Sequence, residues 1–135
     1  MSEMKTVTTY GAILGAVLAQ IRASAGLKQS DLADAVGIGA STWSRIEKGE
    51  SALSTDQLKL AADALKLPPG RILDMVDLAG KATAQNGITL EPIGKAQWAA
   101  ASTATALGLI PVVGSLLGGI VGAVVSSQFG KTGKK

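Results

Sequence analysis

The chain has 135 residues, of which 47% are hydrophobic and 17% are charged. This length suits one small folded domain with an apolar appendage, and the high hydrophobic fraction excludes a disordered chain. It contains neither Cys nor His, which excludes disulfides, zinc–thiolate sites, thiol nucleophiles and the commonest general base. We therefore expect no cofactor, no metal site and no enzymatic activity.

The net charge of +3 is concentrated at one end of the chain. Residues 1–95 contain all ten acidic residues and ten of the thirteen basic ones, so this part is neutral, and the excess resides in Lys131, Lys134 and Lys135. From residue 96 to residue 130 no residue is charged. These shifts in composition predict an N-terminal arm (1–10), a folded domain (11–78), a linker (79–95), an apolar segment (96–130) and a basic tail (131–135).

Apolar residues recur with helical spacing five times in the folded domain. The first stretch, residues 11–24, places Ile13, Val17, Leu18 and Ile21 on one face. Residues 88–90 form a short stretch with β-branched residues, which suggests a strand in the linker. The pattern predicts an all-α fold with five helices. The second and third helices are Gln29–Val36 and Ala40–Lys48. The fourth begins at Ser54, which forms a capping box with Gln57, and the fifth begins at Pro69.

The second and third predicted helices are short and are joined by the Gly37-Ile38-Gly39 turn. Two such helices form a helix-turn-helix, whose second helix can enter a DNA major groove about 12 Å wide. Trp43 and Ile46 lie three residues apart and are expected to face the core. The spacing then leaves four residues facing outward, namely Ala40, Ser41, Ser44 and Arg45.

The run from Gly26 to Gly49, GLKQSDLADAVGIGASTWSRIEKG, resembles the XRE/Cro-type helix-turn-helix of phage repressors. The elements that carry the resemblance are G-L-x-Q, A-x-x-x-G and S-R-I-E-x-G, together with the helix that follows from Leu58 to Pro68. It covers residues 11–75. It implies a five-helix repressor-like domain that binds double-stranded DNA in the cytoplasm.

The resemblance also implies roles for individual residues. Arg22 and Glu47 would form a largely buried ion pair that ties the first helix to the recognition helix, and Arg45 would be the main specificity residue, because a bidentate contact with guanine is worth about 1–3 kcal/mol. Ala40 stands where the family has a long polar residue and offers only van der Waals contact. The expected DNA-binding residues, including the phosphate contacts at both ends, are Lys28, Gln29, Ala40, Ser41, Ser44, Arg45 and Lys48.

The apolar segment contains a stretch, residues 104–125, that is uncharged and long enough to span about 30 Å of hydrocarbon as a helix. Pro111 would either kink one span or turn a hairpin between 97–109 and 112–129. Small residues spaced four apart form a glycine zipper, along which another helix can approach closely. The zipper residues are Gly114, Gly118, Gly122 and Ser126.

Two interpretations of this apolar segment stay open, insertion into a lipid bilayer and burial in a soluble homo-oligomer. The leading hypothesis is a sequence-specific transcriptional regulator, a dimer or higher oligomer, either tethered to the inner face of the cell membrane or assembled through the zipper. The alternative is a membrane-active protein of holin or pore type that uses the helix-turn-helix domain as an adaptor. A third possibility is the DNA-binding antitoxin of a two-protein system, which the family permits but no residue selects.

Overall fold

The computed structural model describes residues 5–90, 109–111 and 114–133. Its elements in chain order are β1 (Lys5–Thr8), α1 (Tyr10–Ser24), α2 (Gln29–Val36), α3 (Ala40–Glu47), α4 (Thr55–Leu65), α5 (Pro69–Gln85), β2 (Thr89–Leu90), β3 (Leu109–Pro111) and α6 (Gly114–Gly133).

Helix α1 is the central helix of the fold and packs against α3, α5 and α6. Thr9 caps its start, because the Thr9 hydroxyl oxygen accepts a hydrogen bond from the Ala12 amide at 3.0 Å. The apolar face predicted from the sequence is buried, including Ile13, Val17 and Leu18. Burial of each such side chain stabilises the fold by about 1.5–3 kcal/mol, so this face anchors the domain.

The boundaries of α2, α3 and α4 follow local signals in the sequence. Helix α2 ends at Gly37, whose φ of 83° is in the left-handed region that glycine adopts without strain. Helix α3 ends one residue before the predicted end, and Lys48 is its C-cap. At the start of α4 the predicted capping box is present: the Gln57 amide donates to Ser54 Oγ at 3.0 Å, and the Ser54 amide donates to Gln57 Oε1 at 2.9 Å.

Helix α5 opens at Pro69 as predicted but runs past the boundary expected at residue 78 and ends at Gln85. The additional turns bury Ala79 and Thr83 against the core. The part of the expected linker before residue 86 is therefore helical. Small side chains at helical spacing gave a weak apolar signal there, and residues 91–95 lie outside the described part of the chain.

Three short parallel strands accompany the helices, in the order β2-β1-β3. Val7 is paired with Thr89 on one side and with Pro111 on the other. Strand β2 lies in the β-branched stretch noted in the linker, whereas β1 falls in the predicted N-terminal arm, where no strand was expected. The strands contain four, two and three residues, so the all-α class is confirmed.

Helix α6 packs against α1 and α5 and shares their core. Val121 is 0% and Val125 is 2% exposed, as low as the central residues of α1. The C-terminal apolar segment therefore contributes a helix to the same packed unit as the helix-turn-helix.

Candidate nucleic-acid interface

The turn between α2 and α3 sets the two helices of the motif against each other. Gly37 closes α2, Ile38 is half-buried, and Gly39 precedes the first residue of α3. On the inner face of α3, Trp43 is 0% exposed and Ile46 is buried as well. Helix α3 is therefore fixed on one side by an aromatic and an aliphatic side chain, and its other side is open to solvent.

The outward side of α3 carries the residues expected to read bases. Ala40, Ser41 and Arg45 are exposed, and Ser44 is half-exposed at the edge of this surface. Lys48 at the C-terminal end of the helix is exposed too. The four predicted base-reading side chains offer one guanidinium group, two hydroxyl groups and a methyl group, which suit hydrogen bonds and apolar contacts in a major groove.

The start of α2 carries the other two expected DNA contacts. Lys28 is exposed, and its backbone amide donates to Asp31 Oδ2 at 2.8 Å, which caps the helix. The Gln29 side chain was expected to bind phosphate, but its Nε2 donates to Glu47 Oε1 at 2.8 Å. One of its two amide hydrogens is thus used inside the protein, and the other is the group available for a phosphate.

Glu47 accepts hydrogen bonds from three different side chains at the end of α3. Arg22 Nε donates to Glu47 Oε2 at 2.6 Å and Arg22 Nη2 to Oε1 at 3.2 Å, which is the ion pair that the resemblance implied. Trp43 Nε1 donates to Oε2 at 2.6 Å, and the Gln29 amide completes the set. The Glu47 side chain is 5% exposed and that of Arg22 is 17% exposed, so the carboxylate is buried and well satisfied.

These bonds connect three helices and one turn. Arg22 lies on α1, Gln29 on α2, and Trp43 and Glu47 on α3, while Arg22 Nη1 donates to the Leu27 carbonyl oxygen at 2.8 Å. The resemblance implied the Arg22–Glu47 pair, whereas the Trp43 and Gln29 bonds to the same carboxylate were not predicted. The network holds the recognition helix in one orientation relative to α1 and α2.

Two glycines, Gly15 and Gly49, allow α1 and the end of α3 to approach closely, a role that the sequence did not predict for either. A Cβ at Gly15 would lie 2.1 Å from the Ile46 carbonyl oxygen, which only a glycine permits. Gly49 has a φ of 80°, and a Cβ there would lie 2.7 Å from the Ala12 Cβ. A glycine inside an otherwise apolar helical pattern was the available signal for Gly15.

Two of the predicted zipper residues, Gly122 and Ser126, lie where the structure describes side chains. Gly122 faces α1, where a Cβ would lie 3.4 Å from Gln20 Cδ, and Ser126 is exposed. Gly114 and Gly118 belong to the first turns of α6. At Gly122 the helix that approaches closely is α1 of the same chain, and the glycine zipper stays a prediction.

No single helix within residues 5–90, 109–111 and 114–133 is both long and apolar enough to cross a membrane. Helices α1 and α2 pass that test only together, with a bend of 115° between them. Residues 104–108 and 112–113 of the predicted span 104–125 lie outside the described residues. Residues 97–108 of the expected hairpin arm 97–109 lie outside them as well. Pro111 ends β3.

Away from α3, Tyr10 and Asp77 form a hydrogen bond that links the start of α1 to α5. Tyr10 Oη donates to Asp77 Oδ1 at 2.8 Å. Burial, this hydrogen bond and the negative charges of Asp77 and Asp74 raise the pKa of Tyr10 to about 12. In the described part of the chain no three acidic residues come together in a way that could hold a metal ion.

Comparison with known proteins finds similarities in the region that contains the helix-turn-helix. Residues 13–74 match the family model described as a helix-turn-helix domain. Among solved structures, the clp gene regulator ClgR from C. glutamicum is similar, with a TM-score of 0.50 and 26% sequence identity over 52% of this chain and 91% of that one. A search of the curated proteins found no match. Both similarities agree with the two-helix arrangement seen in α2 and α3.

Proposed function

Because residues 13–74 form a helix-turn-helix domain, we propose that the protein is a DNA-binding transcriptional regulator that reads double-stranded DNA with α3. The observation that carries this proposal is the combination of an outward polar surface on α3 with an inward face locked by Trp43 and Glu47. Similarity to a protein whose title names it a gene regulator supports the same class.

Sequence specificity is proposed to come chiefly from Arg45. It is exposed on the outward side of α3 and carries a planar group that can bond both acceptors of a guanine. Ser41 and Ser44 add hydroxyl contacts to base edges, and Ala40 suits a thymine methyl. Lys28, Gln29 and Lys48 are proposed to bind phosphates on either side of the groove.

We further propose that the protein acts on DNA as a dimer, because two recognition helices about 34 Å apart match a palindromic site. Zipper-driven self-association or attachment to the inner face of the membrane would have to compete with the packing of α6 in this fold. Val121 and Val125 are buried against the domain, so exposing them to lipid or to a second copy would first require α6 to leave α1 and α5.

The DNA-binding proposal is tested by selection of bound sequences from a library of randomised duplexes, followed by titration of the selected duplex. We expect one enriched motif. The Arg45→Ala variant should bind it about 10- to 100-fold more weakly and lose its preference at one base pair, with little change toward unrelated DNA.

Arg71→Ala is the matched control, since Arg71 lies in the first turn of α5 and on neither helix of the motif. It should leave both the affinity and the motif unchanged. Failure to enrich any sequence would contradict the proposed function. An unchanged motif with Arg45→Ala would leave DNA binding intact and overturn the role given to Arg45.

A further inference from the structure

We propose that the outer face of α4 is the surface on which a second copy of this chain docks, with the two α4 helices antiparallel across a two-fold axis. This inference rests on the proposed function and deepens it, because a palindromic DNA site is filled only when a partner supplies the second recognition helix. It follows from the exposure and the order of the charged side chains on α4.

Helix α4 has one buried face and one face that is open to solvent. The helix packs against α2 and α5. Its buried residues recur at helical spacing and are Leu58, Ala61, Ala62 and Leu65. On the other side of the helix, Leu60 is 43% exposed. Burial of this side chain against a partner would remove apolar surface from water, which favours association.

Four exposed charges of alternating sign flank Leu60 on this outer face. In chain order they are Asp56, Lys59, Asp63 and Lys66, of which the last is the C-cap of the helix. They are three, four and three residues apart, so they follow one side of the helix as a stripe. A stripe of alternating charge suits a partner whose charges alternate in the opposite order.

The same stripe on a second copy meets this requirement when the two helices are antiparallel and centred on residue 61. Asp56 then lies opposite Lys66 of the second copy, and Lys59 lies opposite Asp63 of the second copy. The two-fold axis generates each of these contacts twice, as in any interface between identical surfaces. Four pairs of opposite charges would therefore surround the two copies of Leu60, which meet beside the axis.

Other arrangements of the two helices bring like charges together. A parallel pair related by a two-fold axis would place each charged residue opposite its own copy. An antiparallel pair with a shifted register would place Asp56 opposite Asp63, or Lys59 opposite Lys66. Because like charges that face each other across an interface are unfavourable, the stripe selects both the direction and the register of the pair.

Lys59 and Asp63 already form an ion pair within α4, and this pair leaves both groups accessible to a partner. Lys59 Nζ lies 2.6 Å from Asp63 Oδ1, and the two side chains are 62% and 57% exposed. An exposed pair of this kind contributes little to the stability of a single chain. The ammonium group has three N–H donors and the carboxylate has two acceptor oxygens, so both can bond to the second copy as well.

The size of the surface predicts a weak dimer. Helix α4 contains 11 residues, whereas a stable interface uses about 20–30 residues from each partner. Exposed charges are also screened by salt, so we expect association to weaken as the ionic strength rises.

The test is sedimentation equilibrium of the full chain without DNA, at increasing protein concentration and at low and high salt. An acidic variant carries Lys59→Glu and Lys66→Glu, and a basic variant carries Asp56→Lys and Asp63→Lys. In each variant the four contacts between copies become repulsive, so we expect the dissociation constant to rise by more than about tenfold. An equimolar mixture of the two variants should associate, because an acidic α4 then meets a basic one.

Two controls separate the pattern of charge from its amount. A variant with all four substitutions keeps the net charge of the wild type and an inverted, still complementary stripe, so it should dimerise like the wild type. A variant with Arg71→Glu and Lys81→Glu changes the net charge as the acidic variant does, but on α5, and it should also dimerise like the wild type. Circular dichroism checks that every variant is folded.

The outcomes distinguish this surface from the proposed function. A wild-type chain that is monomeric at every concentration and salt, or a mixture of the acidic and basic variants that does not associate, would overturn the α4 surface. Acidic and basic variants that each dimerise like the wild type would overturn it as well. A chain that dimerises through α4 but enriches no DNA sequence contradicts the proposed function and leaves this surface in place.

Discussion

The contact between α1 and the end of α3 gives the most specific stability prediction. A Cβ at position 15 would lie 2.1 Å from the Ile46 carbonyl oxygen and 3.1 Å from that of Glu47. The shorter distance is about 1 Å below the closest approach that a Cβ makes to such an atom. The Gly15→Ala variant must therefore move α1 away from the end of the recognition helix.

The free-energy change combines two opposing effects. Alanine gains about 1 kcal/mol over glycine inside a helix. Overpacking a core costs about 1–3 kcal/mol and sometimes more, and the cost at Gly15 should lie at or above the top of that range, because the opposing atom is backbone and cannot rotate away. We expect Gly15→Ala to lower the free energy of unfolding by about 2 kcal/mol.

Gly11→Ala in the same helix is the matched control. A Cβ at Gly11 would meet only Thr9 Oγ1, at 4.0 Å, so the helix preference acts without a clash and the variant should be as stable as the wild type or up to about 1 kcal/mol more stable. Urea denaturation followed by circular dichroism measures both variants. A Gly15→Ala protein as stable as the Gly11→Ala protein would refute the close contact between α1 and α3.

Two further predictions concern the polar groups. Glu47→Gln leaves the guanidinium of Arg22 without its ion pair and should lower the free energy of unfolding in urea by about 2–4 kcal/mol. The control variant Glu50→Gln, at an exposed residue, should change it by less than about 0.5 kcal/mol. Equal stabilities of the two variants would contradict the role of the buried carboxylate. The Tyr10 pKa of about 12, against 10.0 in the unfolded chain, means that folding favours the neutral phenol, so this contribution to stability is fully present below pH 10 and is lost between pH 10 and 12. Tyr10 is the one tyrosine in the chain, so tyrosinate absorbance reports it directly, and a midpoint near pH 10 in the folded protein would contradict the hydrogen bond to Asp77.

The helices of the motif could be predicted because the signals that start and stop them are local. Gly37 ends α2 through its own backbone conformation, and Ser54 with Gln57 starts α4 through bonds within one turn. The inward and outward faces of α3 follow from the spacing of Trp43 and Ile46. For the same reason the outward positions of Ala40, Ser41 and Arg45 were accessible from the sequence.

The features that sequence reasoning missed depend on contacts between distant segments. Strand β1 contains the β-branched residues Thr6, Val7 and Thr8, which favour a strand, but it is stabilised by pairing with residues more than eighty positions away, which its own four residues do not reveal. The Gln29 side chain bonds to Glu47 because α2 and α3 meet there, which a pattern read along one helix does not show. The packing of α6 against α1 could not be distinguished from membrane insertion by composition, since both environments select apolar residues.

We infer that α3 and the start of α2 form the DNA-binding surface. Backbone amide NMR shifts, recorded while a selected duplex is added to isotope-labelled full chain, test this most directly. We expect the largest shifts at residues 28–29 and 40–48, with small shifts through α4 and the middle of α5. Shifts concentrated on α4 or α5, with α3 unaffected by saturating duplex, would contradict it.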